Sequence, residues 1–146
     1  MGSRLDEYSV ASLVSGLLLV TVTLVIQYRL FMPLGYSPLS GVGVLWKLAG
    51  AFALGAVPVY CILRARLVTP LICTVGLYSY AALHSYSSIL DAYEVGAALS
   101  ATPMIFDLYL WGWFLPLFGA LLIGGVEYLL QLALGFRHLE PDTGPE

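Results

Sequence analysis

The stretch YSVASLVSGLLLVTVTLVIQY, residues 8–28, decides the fold class. From Tyr8 to Tyr28 it contains no Asp, Glu, Lys or Arg. A hydrocarbon layer roughly 30 Å thick is crossed by about 20 helical residues, each rising ~1.5 Å. Inside that layer a lone segment can satisfy its backbone N–H and C=O groups only as a helix. Two further runs, Leu67 to Leu90 and Leu108 to Val126, are equally free of formal charge. The chain therefore reads as an all-α membrane protein.

The composition agrees. Of 146 residues, 60% are hydrophobic and 10% charged, against roughly 25% charged in an ordinary soluble domain. A water-soluble domain this short leaves too much of its surface exposed to hide that many apolar side chains. The apolar stretch after Tyr8 is too long for a signal-peptide core and lacks a small-residue cleavage site, so it is expected to remain as a first helix. Formal charge is −3, and there is no basic footprint of the kind nucleic acid requires. The acid-leaning end, few lysines and Val/Ala/Gly-rich helices have the composition of a halophilic archaeal membrane protein. Cys61 and Cys73 are too few for a disulfide framework and have no CxxC spacing; they read as apolar filler within helices.

Three hydroxyl–proline pairs punctuate the chain: Ser37-Pro38, Thr69-Pro70 and Thr102-Pro103. A hydroxyl can cap orphan amides, and proline suits the first helical position. The expected helices cover about 8–30, 42–63, 70–90 and 105–134, forming one four-transmembrane-helix domain over 1–138 with short loops. The first stops at Pro33 and Gly35, and the fourth at Gly135. Pro58 and Pro116 lie inside helices and should kink them. Residues 139–146 form an acidic tail with nothing apolar to bury, expected to be disordered.

Orientation follows from the bias of basic residues toward cytoplasmic loops. Arg4, Arg64, Arg66 and Arg137 fall on one side, Arg29 and Lys47 on the other. This predicts a multi-pass protein of the cell membrane with both termini cytoplasmic. Lys47, near a helix end, is expected to snorkel to the interface. Tyr8, Tyr28, Phe31, Tyr36, Trp46, Tyr93, Tyr109, Trp111 and Trp113 fall near predicted ends, where interfacial aromatic belts sit.

Membrane helices pack through small and polar residues, so one such stripe per helix is a candidate inward face. The stripes are Ser12, Gly16, Thr23 and Gln27; Lys47, Ala51, Gly55, Pro58 and Cys61; Cys73, Gly76, Tyr80, His84, Ser87 and Asp91; and Gly112, Pro116, Ala120, Gly124, Glu127 and Gln131.

Glu127 stands out, because a carboxylate within a span costs about 2.5–3.5 kcal/mol or more on insertion scales and faces protein or water. Tyr60, Arg64 or Arg66 lie at a depth from which they could reach it. It reads either as a protonatable or ion-coordinating site, its carboxyl biased toward the neutral form by desolvation, or as a bond pinning the fourth helix to the second. His84 lies one turn from Tyr80, with Asp107 or Gln27 as possible partners. A His–carboxylate pair suits proton relay or catalysis; the plainer reading is an interfacial histidine held by a serine or carbonyl. HExxH motifs, Cys/His clusters, phosphate loops and nucleophile elbows are absent, and no cofactor or metal is expected.

The first expectation for function is a membrane subunit or scaffold acting by helix packing in a homo-oligomer or larger membrane complex, with membrane lipids around it. A small proton- or cation-coupled transporter or channel using Glu127, with His84, is the alternative. A lipid-modifying enzyme built on His84, Asp107 and nearby hydroxyls is third.

Overall fold

The computed structural model describes residues 2–36, 43–96 and 104–134, with side chains from residue 7 onward. Among these residues there is no strand. Five α-helices are present: α1 (Gly2–Ile26), α2 (Val44–Ala65), α3 (Thr69–Glu94), α4 (Ile105–Trp111) and α5 (Phe114–Ala133). Three helical segments are long and apolar enough to cross a membrane: Glu7–Leu34 of 28 residues, Val44–Ala65 of 22 and Phe114–Ala133 of 20. At 26 residues α3 is long enough, but Ser79, His84, Ser85, Ser87, Ser88 and four tyrosines make it less apolar. The pairs Ser37-Pro38 and Thr102-Pro103, together with Gly135, Arg137 and the acidic tail, lie outside the described residues.

The first helical path is longer than the predicted 8–30 and changes its winding near the end. Past Ile26 it continues as a π-helical turn, Gln27–Phe31, and a 3-10 turn, Met32–Leu34. It ends at Gly35, which adopts a left-handed φ of 79° and donates its N–H to the Met32 carbonyl at 3.0 Å. The wide turn holds Gln27 and Phe31 together on the buried face. Phe31, expected in an interfacial belt, is instead fully buried in the core.

The small residues of α1 and α2 act as the packing rule requires. An added Cβ on Gly16 would lie 2.7 Å from the Phe52 ring, and one on Gly55 would lie 2.7 Å from the Ser15 carbonyl oxygen. The Ser15 hydroxyl donates across this contact to the Gly55 carbonyl at 3.1 Å. Pro58 is buried within an unbroken α2. The helix ends at Arg66, which takes a left-handed φ of 56°.

Contrary to the single helix predicted over 105–134, the last helical pass is divided between α4 and α5. Pro116 is the cause: it has no N–H to give the Gly112 carbonyl four residues back, and its ring would strike that oxygen. Leu115 N–H takes the place at 2.9 Å, and the chain bends through Gly112 and Trp113.

Phe31, Ala51, Ile89, Phe106 and Leu110 bring the end of the first helical path together with the start of α2, the end of α3 and α4. Tyr78 and Ala81 continue this core toward the middle of α3. At the opposite end, α3 begins where α5 finishes, held by Glu127.

Candidate functional site

Polar groups inside these helices fall into two centres, one at each end. At the end where α2 starts, Lys47 Nζ sits 2.5 Å from Asp107 Oδ1. Their side chains are 7% and 21% exposed. Lys47, expected to snorkel to the interface, is instead buried against Asp107 in the first turn of α4. Around the pair, Trp46 Nε1 donates to the Trp111 carbonyl at 2.8 Å, and the Trp46 and Trp113 rings approach to 5.4 Å. Gly50 admits Trp113: a Cβ there would lie 2.2 Å from the indole ring.

Hydroxyls complete this end. Ser85 of α3 accepts the Phe106 N–H at 2.9 Å, satisfying an orphan amide in the first turn of α4. Tyr36 accepts the Met104 N–H at 3.3 Å; burial pushes its phenol above the ordinary range, so it serves as a neutral acceptor. Deeper in the core, the Thr23 hydroxyl donates to the Leu19 carbonyl at 2.8 Å. Its oxygen lies 2.8 Å from the Tyr78 hydroxyl, which is left as the donor. Tyr109 donates to the Thr74 carbonyl at 3.2 Å.

Glu127 organises the other end. Its carboxylate accepts the Thr69 N–H at 3.1 Å, the Val68 N–H at 3.4 Å and the Gln131 amide at 3.2 Å. The first turn of α3 is thus capped from another helix. Thr69 does not cap it with its own hydroxyl. Neither Arg64 nor Arg66 pairs with Glu127; Arg64 donates to the Tyr60 hydroxyl at 2.5 Å. An open groove of about 340 Å³ borders Glu127, Gln131 and Thr69.

His84 is not brought to Asp107 or Gln27. Its imidazole is exposed on the outside of α3, its centroid 5.7 Å from that of the Tyr80 ring, while Ser87 and Ser88 donate to its backbone carbonyl at 2.9 Å. The predicted inward stripe of α3 faces outward. The buried positions are Pro70, Thr74, Tyr78, Ala81, Ser85 and Ile89. Both faces carry small and polar residues; the inner one is chosen by the fit of Tyr78 to Thr23 and of Ser85 to Phe106. For the first, second and fourth helical segments, the predicted stripes contain the buried residues Ser12, Gly16, Thr23 and Gln27; Lys47, Ala51, Gly55 and Pro58; and Ala120 and Gly124.

Sequence reasoning missed the Lys47–Asp107 pair, although the signal was present. A lone lysine within a helix needs an acid at its own depth, and Asp107 is such an acid. Between α1, α2 and α3 lies a further hollow of about 170 Å³, walled by Leu18, Val22, Leu54, Leu71, Val75 and Tyr78 among others. Among the described residues, no three His, Cys, Asp or Glu side chains gather as a metal ion would require.

The described residues define an all-helical protein with three helices long and apolar enough to cross a membrane, in which Lys47, Asp107 and Glu127 are engaged within the chain. Comparison with protein-family models, curated proteins and solved structures returned no match.

Proposed function

We propose that this chain is a four-pass subunit or scaffold of the cell membrane, with both termini cytoplasmic, that acts by packing its helices against a second copy or a partner in a larger membrane complex. In this arrangement α3 is the third pass and the α4–α5 pair the fourth. Arg64 and Arg66, at the turn between α2 and α3, mark the cytoplasmic side.

The carrying observation is the direction in which α3 turns its polar residues. Lys47, Asp107 and Glu127 engage groups of their own chain, which is what structural fasteners do. The side chains of Ser79, Tyr80 and His84 instead point away from the bundle and make no hydrogen bond among the described residues. An outward polar face on a membrane helix is relieved by another protein surface better than by lipid. Extraction from native membranes in mild detergent tests the reading: recovery as a complex larger than one chain is expected, and recovery solely as a monodisperse monomer counts against it.

The groove beside Glu127 favours the second reading, a small proton- or cation-coupled carrier. Reconstituted vesicles decide it. Flux abolished in Glu127→Gln would support the carrier, whereas no flux, or flux unchanged by the substitution, leaves Glu127 as a cap.

A further inference from the structure

We infer that the pocket between the end of α2 and the last turns of α5, lined by Tyr60, Cys61, Arg64, Ala65 and Tyr128, binds the phosphate group of an anionic lipid. The inference stands apart from the subunit reading: it needs only that α2 and α5 cross a lipid layer, as their length and composition allow.

The pocket has a volume of about 300 Å³ and is open on one side. Arg64 supplies its charge. The guanidinium donates one N–H to the Tyr60 hydroxyl at 2.5 Å and stands 5.8 Å from the centre of the same ring. Hydrogen bond and cation–π contact together restrict the arginine side chain. A guanidinium carries five N–H donors, and among the described residues no carboxylate pairs with Arg64. Tyr60 adds a further donor. Because its oxygen accepts from Arg64, its own proton is left for another acceptor, and none of the described residues takes it.

The acceptors that would compete for these donors are engaged elsewhere. At the end of α2, the carbonyls of Cys61 and Ile62 receive the N–H groups of Leu67 and Arg66 at 3.4 and 2.9 Å. Glu127, beside Tyr128 on α5, turns its carboxylate to the amides of Val68 and Thr69 and to the Gln131 side chain, and borders a different groove. What remains is a set of donors with one positive charge and no acid in the wall. Such a wall suits a ligand made of acceptors, and the planar guanidinium matches two phosphate oxygens at once. Location selects the source. Arg64 lies in the last turn of a 22-residue apolar helix, so a span built on α2 sets the pocket at the edge of the hydrocarbon, where headgroup phosphates lie and basic pockets between helices collect them. A zwitterionic headgroup would bring its ammonium to a wall without a carboxylate; an anionic lipid brings no such group.

The test uses the full chain in detergent micelles holding equal amounts of phosphatidylglycerol and phosphatidylcholine, and native mass spectrometry reads which lipid the chain retains. Phosphatidylglycerol should be preferred. Arg64→Gln should lower its retention about tenfold, the scale of a hydrogen bond to a charged group, and Tyr60→Phe about threefold. Arg66→Gln removes the same charge two residues away, outside the pocket wall, and should change little. Ala65→Leu keeps every charge but fills the pocket, and should lower retention even if the arginine variant fails to fold. If phosphatidylglycerol is not retained and inorganic phosphate binds in its place, lost in Arg64→Gln, the pocket takes a soluble phosphate and the lipid assignment is overturned. Equal losses in Arg64→Gln and Arg66→Gln, or no preference between the two lipids with no phosphate bound, overturn the site itself.

Discussion

Lys47 of α2 and Asp107 of α4 form an ion pair, 2.5 Å between Nζ and Oδ1, at the end where both helices begin. With Trp46 joined to the Trp111 carbonyl, it fixes the short α4 against α2. Removing one partner leaves the other charge buried without its counter-ion, which costs about 3–5 kcal/mol. Asp107→Asn and Lys47→Met are each expected to lower the thermal midpoint in detergent strongly. The double change Lys47→Met/Asp107→Leu should recover most of the loss, because an apolar pair of similar volume replaces a buried ion pair at little net cost. Circular dichroism melts of the three variants check the order.

Glycine substitutions should separate by what a methyl group would meet. Gly55→Ala directs its Cβ to 2.7 Å from a backbone oxygen of α1, and Gly50→Ala to 2.2 Å from the Trp113 ring. Each should cost about 1–3 kcal/mol through overpacking. Gly125→Ala meets nothing within 4 Å and should be neutral or slightly stabilising, since alanine favours a helix by about 1 kcal/mol over glycine. Equal melting temperatures for Gly55→Ala and Gly125→Ala would contradict the α1–α2 contact.

Tyr78 donates to Thr23, whose own proton is engaged by the Leu19 carbonyl. Tyr78→Phe should therefore lose one interhelical bond, about 0.6–1.7 kcal/mol. Thr23→Val should lose a similar amount, and a double-mutant cycle should show the two losses to be non-additive. Additive losses would mean that the pair does not interact.

Arg66 is a non-glycine residue at φ 56°, a conformation that costs an L-residue roughly 1–2 kcal/mol. Arg66→Gly is expected to stabilise the chain by up to about 1 kcal/mol. A raised melting temperature checks it; a lowered one would mean that the arginine side chain contributes more than the backbone loses.

Much of this architecture was legible in hydrophobic runs and prolines. The first and third helical segments follow charge-free stretches, α2 forms around Lys47 and Arg64, and Gly35 and Pro33 stop the first where turn chemistry says they should. The break at Gly112 was encoded in Pro116, four residues on, although a kink rather than two helices was expected. The π turn over Gln27–Phe31 has no local signature; it arises because Gln27 and Phe31 both reach the same interior. The inward face of α3 was also beyond sequence reading. Tyr78 and Tyr80 are the same residue type, and only the position of Thr23 on another helix chooses between them. Likewise, Glu127 could be recognised as anchored, but its partners are the backbone amides of Val68 and Thr69, which no side-chain pattern announces.

The cap that Glu127 places on α3 also bears on biosynthesis. Val68 precedes its acceptor by 59 residues and Thr69 by 58. A ribosome that has just released these amides has yet to make the carboxylate that completes them. The least greasy of the long helices therefore waits, with unmet amides at one tip, until the last one is synthesised. In the proposed four-pass arrangement this favours delivery of the two to the bilayer as a pair, and a nascent chain truncated before position 127 should then leave α3 outside the lipid or slow to enter it.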